Sequence, residues 1–157
     1  MDKKRGSIGT VIIIIIGILM LCTIFYHYFF INIDLERYNI LNQYARDILL
    51  VCETKDYIKK DYLENSLNSL NQKIIKKDTE FIKIYIIING NSYDVDSMPS
   101  QIKTDYGETI DILLEYHYKP QRFDFSGGLV PTRKETETEI MGVKLSTISK
   151  NRGVSDG

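Results

Sequence analysis

Residues 8–31 read IGTVIIIIIGILMLCTIFYHYFFI, a stretch without a single charged side chain. At about 1.5 Å per residue, a helix of that length crosses a hydrocarbon layer roughly 30 Å thick. Val11 to Phe30 includes thirteen Val, Ile, Leu or Phe residues. Each favours insertion by about 0.3 to 0.6 kcal/mol, several kcal/mol together, which Gly17, Thr23 and His27 reduce without reversing. A secretory signal has an apolar run of about 7 to 15 residues followed by a small-x-small cleavage site. Here the run is longer and leads into HYFFINIDLERY, which has no such site. The expectation is a retained anchor, with the lipid bilayer as its first partner.

The flanking charges set an expected orientation. Lys3, Lys4 and Arg5 precede the run, whereas the first charges after it are Asp34 and Glu36. The positive-inside rule then puts the N-terminus in the cytoplasm, the span in the plasma membrane and the rest of the chain outside. Phe25, Tyr26, Tyr28, Phe29 and Phe30 fall where an outer aromatic belt belongs, with His27 as an interfacial residue among them. The expected divisions are a basic leader over 1–6, a transmembrane helix over 7–31, one extracytoplasmic domain over 32–149 and a frayed tail over 150–157.

Between Gly17 and Gly90 there is neither glycine nor proline, so nothing obliges the helix to stop where the apolar run ends. Beyond it Tyr38, Leu41, Ala45, Ile48 and Cys52 recur at three-and-four spacing, the stripe of an amphipathic stem. Glu53 to Asp56 interrupt the pattern, with Thr54 or Asp56 as the expected N-cap of a second helix. That helix carries Tyr62, Leu63, Ser66, Leu67, Leu70 and Ile74 inward and closes at KKDTE, 76–80.

After residue 80 the period changes from helix to strand. FIKIYIIING puts Ile82, Ile84, Ile86 and Ile88 on one face, and Asn89-Gly90 is a hairpin turn into NSYDVD. MPSQIKTDYG reads as a loop. ETIDILLEYHYKP alternates again, aligning Ile110, Ile112, Leu114, Tyr116 and Tyr118, and Pro120 ends that strand. FDFSGGLVPTRK reads as a second loop, followed by a last strand over about 137–149 with Gly142 at a bulge. These elements make an α+β fold: an N-terminal transmembrane helix continuing into an amphipathic stem, packed on a small, mostly antiparallel sheet of about four strands.

The composition narrows the function classes. Twenty basic and 21 acidic residues scatter evenly for a net charge of −1, with no basic face, so nucleic acid is not expected as a partner. Cys22 and Cys52 lie far apart on a continuous helix and form no CxxC or Cys/His cluster, so neither a disulfide nor a metal is expected. DVDS at 94–97 lacks the further ligands and the glycine of a calcium loop and reads as a polar turn. His117 alternates outward with no second histidine or cysteine nearby. SGGL at 126–129 lacks the Gly-Lys-Ser/Thr ending of a phosphate loop. Glu135, Glu137 and Glu139 lie on a solvated run. No catalytic constellation and no cofactor or metal site is expected, and the chain does not read as an enzyme.

A short basic leader ending in Gly6, an apolar helix, an amphipathic stem and a small sheet resemble a type IV pilin-like protein, in detail the TadE-like pseudopilins. KKRGS resembles the leader that a prepilin peptidase cuts after glycine. ETIDILLEYHYKP resembles the alternating TadE-like strand that ends in Tyr-x-Tyr-x-Pro. The resemblance implies cleavage between Gly6 and Ser7. It implies that the helix, Val11 included, packs against other pilin-like subunits, while the stem stripe of Tyr38, Leu41, Ala45 and Ile48 is expected to share a core with the isoleucine face of the chain's own sheet. It implies as partners those subunits, the assembly proteins of a pilus, secretion or conjugation apparatus, and a prepilin peptidase. One departure stands out. Cleavage after Gly6 makes Val11 the fifth residue, where pilins usually carry a glutamate that meets the N-terminal amine of a neighbouring subunit. The two readings are therefore a minor pseudopilin and a membrane-anchored extracellular binding or scaffold domain outside any fibre.

Overall fold

A computed structural model describes residues 3–75, 79–124, 132–135 and 137–150. The chain divides into two compact units, Met1–Arg37 and Tyr38–Gly157. Helix α1, Lys3–Thr54, contributes to both and runs 52 residues. That continuity follows from the absence of glycine and proline after Gly17, and Gly9 and Gly17 sit inside the helix without ending it.

In the second unit, α1 is followed by β1 (Tyr57–Lys59), α2 (Lys60–Ile74), β2 (Phe81–Ile88), β3 (Asn91–Asp94), β4 (Gln101–Lys103), β5 (Thr109–Tyr118), β6 (Gln121–Asp124), β7 (Thr132–Glu135) and β8 (Glu139–Ile148). The main sheet has four strands in the order β3-β2-β5-β8, every neighbour antiparallel. Two short ribbons, β1 with β4 and β6 with β7, complete the strands.

The period-two reading of β2 and β5 holds residue by residue. Ile82, Ile84, Ile86 and Ile88 pair with Tyr116, Leu114, Ile112 and Ile110, and all are buried. Tyr116, fully buried, stacks on Tyr118 with ring centroids 4.9 Å apart. The hairpin turns at Asn89 and Gly90, whose φ of 49° and 85° are the left-handed values that asparagine and glycine tolerate. Asn89 also donates to Glu108 Oε1 (2.8 Å) and accepts from the Thr109 N–H (3.2 Å), fixing the turn against β5.

The helices close one face of this sheet. Leu41, Ala45, Ile48 and Cys52 of α1 and Leu63, Leu70 and Ile74 of α2 join the isoleucine face in one core, with Tyr44, Tyr62 and Leu67 packed at its margin. Lys73 of α2 stands 4.9 Å from the Tyr44 ring of α1, a cation over an aromatic face. Ser66 caps no core position; its hydroxyl returns to the Tyr62 carbonyl at 2.9 Å.

Several local expectations are corrected. Tyr38 is 42% exposed while Leu41, Ala45 and Ile48 are at most 1% exposed, so the buried stripe begins one turn later than its spacing suggests. The second helix is not capped by Thr54 or Asp56. Thr54 ends α1, its hydroxyl bonding back to Leu50 O at 3.0 Å, and a strand intervenes. The cap position is Lys59, without a side-chain bond, and the Ser100 carbonyl accepts the Lys60 N–H at 2.9 Å instead. MPSQIKTDYG is not wholly loop, because Gln101–Lys103 pairs with Tyr57–Lys59 and buries Ile102 against Ile58. FDFSGGLVPTRK is not wholly loop either, because its ends, Phe123–Asp124 and Thr132–Lys134, lie in the paired strands β6 and β7. Gly142 sits in unbroken register opposite Glu115, so β8 has no bulge there. The SGGL motif, most of KKDTE and the tail beyond residue 150 lie outside the described residues.

Candidate functional site

The first candidate is the apolar segment of α1. The helix Ile8–Thr54 is long and apolar enough to cross a membrane by length and composition. Ile8, Val11, Ile12 to Ile16, Ile18, Leu19 and Leu21 are each more than half exposed, which water does not favour. An apolar surrounding removes that cost at about 25 cal/mol per Å² of side chain covered. Thr23 in the segment is compatible with it, because its hydroxyl donates to the Leu19 carbonyl at 2.9 Å. Tyr26 and Phe30 contact at 4.4 Å between centroids, the aromatic cluster expected at a membrane boundary. Gly6 and Ser7 lie in the first turns of α1, and Val11 is 53% exposed on it.

The second candidate is the clasp that fastens the C-terminal end of α1. Glu53 accepts a hydrogen bond from Thr147 Oγ1 (3.1 Å), pairs with Lys150, and its backbone carbonyl accepts the Lys150 N–H at 3.0 Å. Nearby, Thr104 donates its hydroxyl to the Lys55 carbonyl at 3.0 Å and its N–H to the Asp56 carbonyl at 3.0 Å. Hydrogen bonds from Lys150 and Thr147 hold the Glu53 carboxyl below the usual carboxylate range. The charged form is the one the fold prefers, so this contribution is present at neutral pH and is lost as pH falls through the folded-state value. The thermal midpoint of the full chain in detergent should therefore drop in acid, and Glu53→Gln should make that drop shallower. An unchanged slope in the variant would show that the clasp contributes no pH dependence.

The third candidate is the sheet face away from the helices. Across it, register brings Phe81, His117 and Ile140 into one row, Lys83, Glu115 and Gly142 into the next, and then Tyr85, Leu113 and Lys144. His117 faces outward as its alternation requires, yet its ring stacks on Phe81 at 4.4 Å and its Nε2 lies 3.3 Å from Glu115. It is a packed side chain on that face rather than a free surface residue. Lys144 reaches across to Asp111 at 2.9 Å. Ser146 and Lys144 together hold the Asp111 carboxyl below its ordinary range. The sequence reading missed both Glu53 and Asp111 because their partners are 94 and 33 positions away, a separation no local spacing can reveal.

The remaining expected residues are accounted for locally. The DVDS turn closes on itself: Asp94 Oδ1 accepts the Asp96 N–H at 3.1 Å and the Asp94 carbonyl accepts those of Ser97 and Met98. Cys22 and Cys52 are both free thiols. Burial pushes the Cys52 thiol up to about 12, which makes it an inert core side chain. Among the described residues no group of three or more His, Cys, Asp or Glu side chains is placed to hold a metal ion. No protein-family model, curated protein or solved structure matches this chain.

Proposed function

We propose that the protein is a membrane-anchored structural subunit, a TadE-like minor pseudopilin of a pilus, secretion or conjugation apparatus at the bacterial cell surface. The observation that carries this reading is α1 itself. One uninterrupted helix supplies an exposed apolar segment over 8–31 and then, from Leu41 to Cys52, the buried stripe of an antiparallel sheet domain. An anchor that continues as the core helix of its own domain suits a building block. The protein carries out no reaction in this reading; it packs its helix against like helices and presents the outer face of its sheet.

Two measurements test it together. The N-terminus is cytoplasmic and the domain outside, so Ser155→Cys in a Cys22→Ser background should label with a membrane-impermeant thiol reagent in intact cells. Labelling only after lysis would contradict the topology. Co-expression with a prepilin peptidase should shorten the chain by its leader after Gly6, and Gly6→Leu should block the cut. An N-terminus still at Met1 in the presence of an active peptidase would favour the second reading, an anchored binding or scaffold domain. That alternative draws on Val11, which leaves the processed chain without the carboxylate that pilins usually present at their fifth residue.

A further inference from the structure

We infer that the two edges of the main sheet, β8 and β3, are complementary, so that β8 of one copy accepts β3 of the next and the sheet continues from subunit to subunit. Among the described residues no strand lies beyond either edge. An open edge ten residues long is ordinarily guarded by a proline, a bulge or an outward charge. β8 contains no proline and its register with β5 is unbroken. The one charge in its row Ile140, Gly142, Lys144, Ser146 and Ile148 is Lys144, and that ammonium is turned to Asp111 at 2.9 Å.

Strand direction and hydrogen-bond parity fit the neighbour's β3. Three successive antiparallel pairings leave β3 and β8 running in opposite directions. A copy shifted sideways without rotation therefore offers β3 antiparallel to β8. The Ser149 N–H bonds into the sheet, to the Glu108 carbonyl at 2.8 Å, so by alternation Lys144 and Ser146 turn their backbone groups to the open edge. On β3 the Val95 N–H bonds to Ile84 at 3.2 Å, so Ser92 and Asp94 turn theirs outward. Placing Asp94 opposite Lys144 sets Ser92 opposite Ser146 and Tyr93 opposite Leu145. Asp94 then stands opposite Lys144 on the outer face, where the ammonium would be shared between Asp94 of the next copy and Asp111 of its own, while two half-buried apolar side chains meet on the core face. Asp94 brings only its N–H, because its carbonyl already accepts Ser97 and Met98.

A twofold pairing of β8 with β8 is the competing arrangement. It would end at a closed pair of copies, with no edge carried on from one copy to the next. The sideways repeat keeps every α1 parallel, and in this respect the inference rests on the membrane-anchored subunit proposed above. β3 spans only four residues, so the contact is weak between free molecules. Confinement to a membrane raises the effective concentration and makes a weak edge contact count.

The test uses the full chain in phosphatidylethanolamine and phosphatidylglycerol vesicles, with Cys22→Ser as background. Ser92→Cys and Ser146→Cys are near-isosteric changes at exposed positions, and on opposite edges of one sheet they cannot bridge within a chain. Mild oxidation of the double variant should give a ladder of dimers, trimers and larger species, while each single variant stays monomeric. Adding Lys144→Glu should abolish most of the ladder, and adding Asp94→Lys as well should restore it. Absence of a ladder, dimers from Ser146→Cys alone, or a ladder indifferent to Lys144→Glu would overturn the proposal. Alkaline extraction of the same vesicles separates the two ideas: a chain that stays in the bilayer without cross-linking keeps its anchor and loses this interface.

Discussion

Replacing Leu41 or Ile84 by aspartate in the full chain should unfold most of the second unit. Leu41 is fully buried on α1 and Ile84 is 1% exposed on β2, and both belong to the single core that joins helix to sheet. Both sites belong to a cluster of buried apolar side chains. An uncompensated buried charge costs about 3 to 5 kcal/mol, against the 5 to 15 kcal/mol that a domain of ordinary stability has available. Each variant in detergent should lose protease resistance over 38–150 and lower the thermal midpoint by many degrees. Tyr38→Asp supplies the contrast: at 42% exposure the same charge stays in solvent, and the midpoint should move little. If Leu41→Asp melts like Tyr38→Asp, the stem is a free helix and the sheet closes its core without it.

Two arginines in the middle of the apolar segment should have the larger effect on location. Leu19→Arg combined with Leu21→Arg adds about 5 to 7 kcal/mol to the insertion of a helix whose apolar side chains favour it by a similar amount. Both positions are 52 to 56% exposed on α1, so the change asks nothing of the helix backbone. The variant should leave the alkali-resistant membrane fraction or be degraded. Leu50→Arg, on the same helix and 61% exposed but outside the segment, should stay with the membrane. Retention of the double arginine variant in the membrane would show that some other part of the chain holds it there.

The two experiments also divide what could be read along the chain from what could not. Alternation over β2 and β5 is legible because a strand buried on one side repeats every two residues, and both strands are long enough to show it. The stripe from Leu41 to Cys52 is legible for the equivalent helical reason, although its start is not. Spacing continues to Tyr38, but burial depends on whether a sheet lies opposite, and that is a property of the partner element. Strands β1 and β4 escaped notice because each has one buried residue, Ile58 and Ile102, and one point carries no period. Gly142 suggested a bulge because a strand glycine is costly. In the structure it occupies regular register, and a β-carbon there would meet the Leu114 carbonyl at 3.8 Å, an ordinary contact.

The sequence by itself determined the apolar segment, the continuity of α1 beyond it, the hairpin at Asn89-Gly90 and the inward faces of the two long strands. Each depends on residues within a few positions of one another, where backbone geometry converts composition directly into a face, a turn or a span. Only the tertiary structure decided that β8 closes beside β5 with no strand beyond its far edge among the described residues, that Glu53 clasps Thr147 and Lys150, and that Lys144 is turned onto Asp111. These contacts join positions 21 to 97 apart. Their energies are set by which elements the shared core brings together, so no local pattern along the chain encodes them.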